Sequence, residues 1–307
     1  MSTGTISDEL AKTLTIKNLA FLIATAKNFH VTYPEFGFEG YSQSLQRITG
    51  ILESVTNPTI SGRYIEEIEE FVKTFADKEF SKRHFYDKDF SDKLIQFWSI
   101  LKKLVQDEPE SVVGAVIAII EKNIPPGVDK NELILQKATK FISKTKNVNS
   151  TTESILQAVN ERLQRDRKVD ILFIAGILLL LVGQRESNIY YIIENLKKAQ
   201  SIANTTYDIN DICSIDSKVT QNTIEVSDTT AIRNCISHFA HKIEKTDDEI
   251  AVDFHSDISG YDIDRKYTGR ELISFYRNYD RLIGIQELFI RSAFLQALIG
   301  LYFTRPA

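Results

Sequence analysis

A short polar segment in the second half of the chain carries residue types suited to phosphodiester cleavage. Arg233 and His238 are five positions apart, Asn234 and Ser237 lie between them, and His241 follows. Histidine can transfer a proton near neutral pH, and the forked guanidinium of arginine fits phosphate oxygens and stabilises charge that grows on them. On RNA the neighbouring 2′-hydroxyl can be the nucleophile, so this chemistry would need no metal.

The spacing of apolar residues in this segment predicts a helix from about residue 228 to residue 244. At about 100° per residue, one face of this helix takes Ile232, Cys235, Ile236, Phe239 and Ile243, and we expect Cys235 to be a small core residue. The opposite face takes Asn234, Ser237, His238 and His241, with Arg233 beside it. The residues alone leave a second interpretation open, an amphipathic helix whose polar face is merely solvated, because R-x-x-x-x-H is a loose pattern.

In its wider context the segment resembles the HEPN superfamily. The resemblance rests on the run Arg233-Asn234-Cys235-Ile236-Ser237-His238, on two apolar helices before it, and on a hairpin and a long helix after it. It covers about residues 165–307. It implies a compact helical bundle that forms a homodimer, so that two R-x-x-x-x-H helices make one cleft for metal-independent cleavage of RNA.

The resemblance also implies roles for three side chains. His238 would be the acid/base group, Arg233 would bind the phosphate and stabilise its charge, and Asn234 would help to orient them. The products would be a 2′,3′-cyclic phosphate and a 5′-hydroxyl. The implied setting is a cytoplasmic toxin or defence protein of a prokaryote, with RNA and an antitoxin or regulatory protein as partners and with no cofactor.

Two differences between this chain and known HEPN subfamilies narrow the choice of subfamily. HEPN toxins paired with a nucleotidyltransferase antitoxin commonly have tyrosine two residues after the histidine, where this chain has Ala240, so tyrosine modification is disfavoured. HEPN ribonucleases of the CRISPR ancillary type carry a Rossmann-like sensing domain. Residues 1–160 instead show successive helical patterns without a strand-glycine-helix pattern, so sensing of ring nucleotides by that half is disfavoured.

Further candidate contacts to RNA lie on both sides of this motif. His241 and Ser237 share its polar face, and Arg277 and Arg281 share one face of the predicted final helix. Arginines near tyrosines can hold the backbone and stack bases, although such a face is usually the solvent side of a long helix. We predict no metal site, because the chain has two cysteines and neither H-E-x-x-H nor C-x-x-C.

The amino-acid composition limits which classes of protein the chain can belong to. The chain has 307 residues, 43% of them hydrophobic, with 13 glycines and 6 prolines, which favours long helices over a disordered or collagen-like chain. The first residues lack a signal-peptide pattern, and the longest apolar run, residues 171–183, is shorter than the roughly 20 residues that span a bilayer. We therefore expect a cytoplasmic protein without membrane contact. The net charge of −5 does not attract RNA, and it favours the alternative of a non-catalytic HEPN-like module that binds RNA or a protein.

The predicted fold is all-α with two parts, a helical domain of unknown role at residues 1–150 and a HEPN-like domain at residues 165–307. Helical periodicity covers about residues 7–29, 42–56, 61–79, 90–106, 110–121, 129–145, 152–166, 168–184 and 187–203. Alternation at residues 250–254 and 261–267 predicts a small hairpin. Thr268 and Glu271 have the spacing of a capping box that would open a final helix toward Tyr302.

Overall fold

The computed structural model describes most of the first 136 residues and the last part of the chain. The described residues are 6–55, 60–82, 88–121, 127–136, 157, 161, 194, 196, 197, 232, 235, 238, 240–245, 250–256 and 263–304. Most of them are helical, and a small antiparallel sheet of three strands accompanies the helices. The prediction of a mostly helical fold is therefore confirmed.

The helices with defined bounds stand where periodicity predicts them. They are α1 (Asp8–Thr32), α2 (Phe38–Ser54), α3 (Gly62–Lys82), α4 (Lys88–Asp107), α5 (Pro109–Glu121) and α6 (Gly269–Tyr302). Residues 130–136 are also helical, as predicted. No helix in the described part of the chain is long and apolar enough to cross a membrane. The apolar run at residues 171–183 lies outside the described residues.

Local capping chemistry explains where several helices begin. The side chain of Ser7 accepts a hydrogen bond from the main chain of Leu10 at the start of α1. Between a 3₁₀ turn (Pro34–Phe36) and α2, Gly37 has a φ of 69°, a conformation that glycine adopts most readily. Thr268 and Glu271 form the capping box at the start of α6, so that prediction is confirmed.

The second half of α6 forms the centre of the N-terminal helical assembly. Residues 285–299 are all buried, and α6 packs against α1, α3, α4 and α5. Trp98 of α4 stacks on Phe289 with 5.4 Å between ring centroids, and the main-chain N–H of Ile60 donates to the carbonyl of Phe303 over 2.9 Å. The helices of the first half are thus built around a helix from the end of the chain. The predicted boundary near residues 150–165 is outside the described ranges, and the division into two domains stays a prediction.

A charged pair is buried within this central helix. The guanidinium Nε of Arg291 donates to Glu287 over 2.7 Å, and both side chains are about one-twentieth exposed. The guanidinium carbon also lies 4.4 Å from the ring centroid of Phe21 in α1. An ion pair held one helical turn apart and covered by an aromatic ring is screened little by solvent.

The three strands form a sheet in the order β1 (His241–Lys245), β2 (Ile250–Ser256), β3 (Ile263–Thr268), antiparallel throughout. The pair β2–β3 confirms the predicted hairpin. One face carries apolar side chains that are buried, namely Val252, Phe254, Ile263 and Tyr267. The strand β1 was not predicted, and the prediction of a helix to residue 244 is wrong at its end.

Candidate active site

The described residues of the segment that carries the sequence motif pass from helical at Cys235 to a turn at His238. Ile232 and Cys235 are helical and almost completely buried, at 0% and 1% exposure, which confirms the predicted apolar face for these two residues. His238 is in a turn and exposed to solvent. Arg233, Asn234 and Ser237 lie outside the described residues, so their predicted roles stay predictions.

A hydrogen bond to one carbonyl ends this helix. The main-chain N–H of Ala240 donates to the carbonyl oxygen of Cys235 over 2.8 Å, a bond across five residues that is typical of helix C-termini. The imidazole Nδ1 of His241 lies 3.3 Å from the same oxygen. Ala240 and His241 therefore both lie against the carbonyl oxygen of the buried Cys235.

His241 is the first residue of β1 and does not continue the helical polar face that His238 was predicted to share with it. Its ring is half-buried and lies 6.3 Å from the ring of Phe254, its neighbour on β2. Ile243, predicted for the apolar helical face, is instead a strand residue with 54% exposure. Pairing with β2 supplies partners for the main chain of β1, and this tertiary interaction overrides the local helical spacing.

The contact to Cys235 fixes how the ring of His241 can work. A carbonyl oxygen only accepts hydrogen bonds, so Nδ1 must carry the hydrogen in this contact. In the neutral ring with this tautomer, Nε2 is then left as a hydrogen-bond acceptor. His241 is therefore oriented by the main chain, whereas His238 is exposed on the turn before it.

The basic residues predicted for RNA contact lie on α6. Arg277 and Arg281 are in the first half of that helix, and the directions of their side chains lie outside the described structure. Arg270, in the first turn of the same helix, is exposed. Their predicted contact with RNA stays a prediction.

The solvent face of the sheet is a charged surface that the sequence motif does not include. Its members alternate along the three strands and are Lys242, Glu244, Asp253, His255, Asp264 and Lys266. Glu244 accepts hydrogen bonds from Lys266 and from Lys242, and these two ammonium groups hold the pKa of that carboxyl below its ordinary value of 4.5. Glu244 in turn raises the pKa of Lys266 above 10.5.

On the same face, His255 lies 3.3 Å from Asp264 on the neighbouring strand. Period-two alternation is the sequence signal for this surface.

The described residues contain no cluster of three or more histidine, cysteine, aspartate or glutamate side chains that could hold a metal ion. Comparison of the chain with protein-family models, with curated proteins and with solved structures finds no match.

Proposed function

We propose that the protein is a metal-independent endoribonuclease in which His238 is the acid/base group. One observation carries the proposal: His238 is exposed on the turn that directly follows a helix anchored by the buried Ile232 and Cys235. This histidine closes an R-x-x-x-x-H motif of the kind found in HEPN ribonucleases. A solvent-accessible imidazole close to buried residues in sequence suits a group that must meet a large substrate such as RNA.

The proposed reaction is an internal transfer of the phosphodiester. A neutral imidazole of His238 removes the proton from the 2′-hydroxyl, and the 2′-oxygen attacks the adjacent phosphorus. The bond from phosphorus to the 5′-oxygen breaks, and the imidazolium form of His238 gives a proton to this oxygen as it leaves. Arg233 would donate hydrogen bonds to the phosphate oxygens, where negative charge grows, and Asn234 would help to orient the two side chains.

His241 would assist from the start of β1. Its Nδ1 is directed to the carbonyl of Cys235, so its Nε2 is the nitrogen through which it would contact the RNA. Ser237, Arg277 and Arg281 remain proposed contacts to the RNA backbone.

A homodimer belongs to the proposal. One chain offers a single arginine and a single histidine in the motif, whereas two motifs related by a two-fold axis would place two of each along one cleft. Control by an antitoxin or regulatory protein, and a cytoplasmic role in defence, follow from the resemblance to HEPN toxins.

The experiment is cleavage of a labelled RNA of mixed sequence by the purified protein in excess EDTA. We expect the wild-type protein to cut, and we expect His238→Ala and Arg233→Ala to lose activity by at least about 100-fold, the usual contribution of a general acid–base group. His255→Ala is the matched control, because His255 is also exposed but lies on the charged face of the sheet. Equal cutting by all four proteins would overturn the proposed site.

A non-catalytic module that binds RNA or a protein is the second candidate. The net charge of −5 favours the protein-binding form of this candidate, since the chain as a whole repels the phosphate backbone of RNA. In that case no RNA is cut under any condition, and His238→Ala changes the binding of a partner instead of a rate. The cleavage experiment therefore separates the two candidates.

A further inference from the structure

The strand β1 has an outer edge that exposes an apolar side chain. In the described part of the chain the sheet order is β1-β2-β3, and no strand there pairs with the other side of β1. Edge strands present main-chain N–H and C=O groups to any strand that can pair with them. Ile243, in the middle of β1, is 54% exposed. The residues that follow it across the sheet, Val252 on β2 and Tyr267 on β3, are buried.

The opposite face of the sheet carries charges of alternating sign. Lys242 lies beside Asp253, and Asp253 lies beside Lys266, so one row runs positive, negative, positive across the three strands. Glu244 lies two residues after Lys242 on the same face. The central residues of β1 thus read Lys-Ile-Glu. When two such strands run antiparallel, the lysine of each lies opposite the glutamate of the other.

We propose that β1 pairs in antiparallel fashion with β1 of a second copy of this chain, about a two-fold axis at Ile243. Each Lys242 would then lie opposite Glu244 of the second copy, so the row Lys266-Asp253-Lys242 would be extended by one acidic residue of the second copy. The two Ile243 side chains would lie opposite each other and cover the apolar area that is exposed in the monomer. The proposal is independent of the ribonuclease activity, because this contact differs from the pairing of motif helices in the proposed cleft.

Charge and side-chain direction select this register over its neighbours. A shift by one residue would place Ile243 on the same face as Lys242 of the second copy, and apolar and charged faces would be mixed. A shift by two would place like charges opposite each other, either two copies of Lys242 or two of Glu244. The other edge is unsuited to self-pairing, because a two-fold axis through the exposed stretch of β3 would oppose two copies of Arg265.

A disulfide tests the register. Residues opposite each other in an antiparallel ladder have Cα atoms about 4.5–5.5 Å apart, which is within the range that a disulfide bridges. Ile243→Cys, made together with Cys213→Ser, should form a crosslinked dimer under mild oxidation. Asp264→Cys in the same background lies on the other edge and keeps Arg265 in place, so it should form no crosslinked dimer. Equal crosslinking of both variants, or none by Ile243→Cys, would overturn the proposal.

Charge reversal tests the complementarity. Pairing of two short strands buries a small area, so we expect weak self-association through this contact, measured by sedimentation over a range of concentrations. Lys242→Glu and Glu244→Lys should each weaken it about tenfold, because two attractive pairs become repulsive. A mixture of the two variants should restore association, since each Glu-Ile-Glu strand would face a Lys-Ile-Lys strand.

Asp264→Lys is the control for charge reversal, because Asp264 is exposed on β3 and outside the proposed contact. The proposal would be overturned if the single variants self-associate as strongly as the wild-type protein. It would also be overturned if their mixture associates as weakly as each variant alone. A wild-type protein that remains monomeric at several hundred micromolar would also overturn it.

Discussion

The imidazole Nδ1 of His241 lies 3.3 Å from the main-chain carbonyl oxygen of Cys235 and so connects the first residue of β1 to the end of the preceding helix. The same carbonyl accepts the N–H of Ala240. Between these two anchored positions the chain passes through His238, which is exposed. The position of the proposed catalytic histidine is therefore set by contacts on both sides of its turn.

We expect His241→Ala to destabilise the fold by about 1 kcal/mol, because the variant loses one intramolecular hydrogen bond. His241→Asn should cost less, since its amide can donate to the carbonyl of Cys235 while it lacks the second ring nitrogen. Urea denaturation measures both effects. Equal stability of His241→Ala and the wild-type protein would show that the contact does not stabilise the turn.

His241→Ala and His241→Asn also distinguish a structural role of His241 from a chemical one. If Nε2 of His241 contacts the RNA, His241→Asn should lose cleavage activity although its free energy of unfolding stays close to that of the wild-type protein. Full activity in His241→Asn would exclude a direct role for this nitrogen.

Phe289→Ala should destabilise the protein by about 3–5 kcal/mol, because Phe289 is fully buried and the variant leaves a cavity beside Trp98. Trp98 is the only tryptophan, so its fluorescence reports on the contact between α4 and α6 directly. We expect the emission of the native variant to shift to the red. A cost below about 1 kcal/mol would contradict the central position of α6.

Arg291→Leu should cost about 3–5 kcal/mol, because it removes the guanidinium from beside the buried carboxylate of Glu287. The double variant Glu287→Leu/Arg291→Leu should cost less than the single one, since no buried charge then remains at this pair. Chemical denaturation of the three proteins measures the difference. A double variant less stable than Arg291→Leu would show that the pair stabilises the core by itself.

The ion pairs of Glu244 predict a direction for the dependence of stability on pH. Its pKa is lowered in the folded protein, first of all by the hydrogen bond from Lys266, so its contribution is present above about pH 4.5 and is lost as the pH falls through the lowered pKa. The raised pKa of Lys266 gives a contribution that is complete below about pH 10.5 and is lost as the pH rises through the raised value.

A titration followed by NMR of the Glu244 carboxyl checks this prediction. Lys266→Gln should return its pKa toward 4.5, and added salt should do the same, because Lys266 is exposed and Glu244 is partly exposed to solvent. An unchanged pKa in Lys266→Gln would contradict the ion pair.

Local rules predicted much of the fold. The capping box at Thr268, the hairpin of β2 and β3, and the helices α1 to α6 follow from periodicity and capping, which depend on residues a few positions apart. The burial of Cys235 follows from the same periodicity.

Long-range pairing was not predictable in this way. The spacing of Ile236, Phe239 and Ile243 fits a helix, and only the ladder with β2 makes residues 241–245 a strand. The position of α6 among the first helices likewise depends on contacts between residues almost 200 positions apart, such as Trp98 and Phe289. In the candidate site the prediction failed for this reason. The ladder with β2 makes His241 a strand residue, so His241 does not share a helical face with His238.

The most direct test of the proposed function compares an RNA with the same sequence carrying 2′-O-methyl groups, both in excess EDTA. We predict that the wild-type protein cuts only the RNA and leaves 2′,3′-cyclic phosphate and 5′-hydroxyl ends. His238→Ala should lose this activity, and His255→Ala should retain it. Cleavage of the methylated strand, or equal cleavage by His238→Ala, would contradict attack by the 2′-hydroxyl at this site.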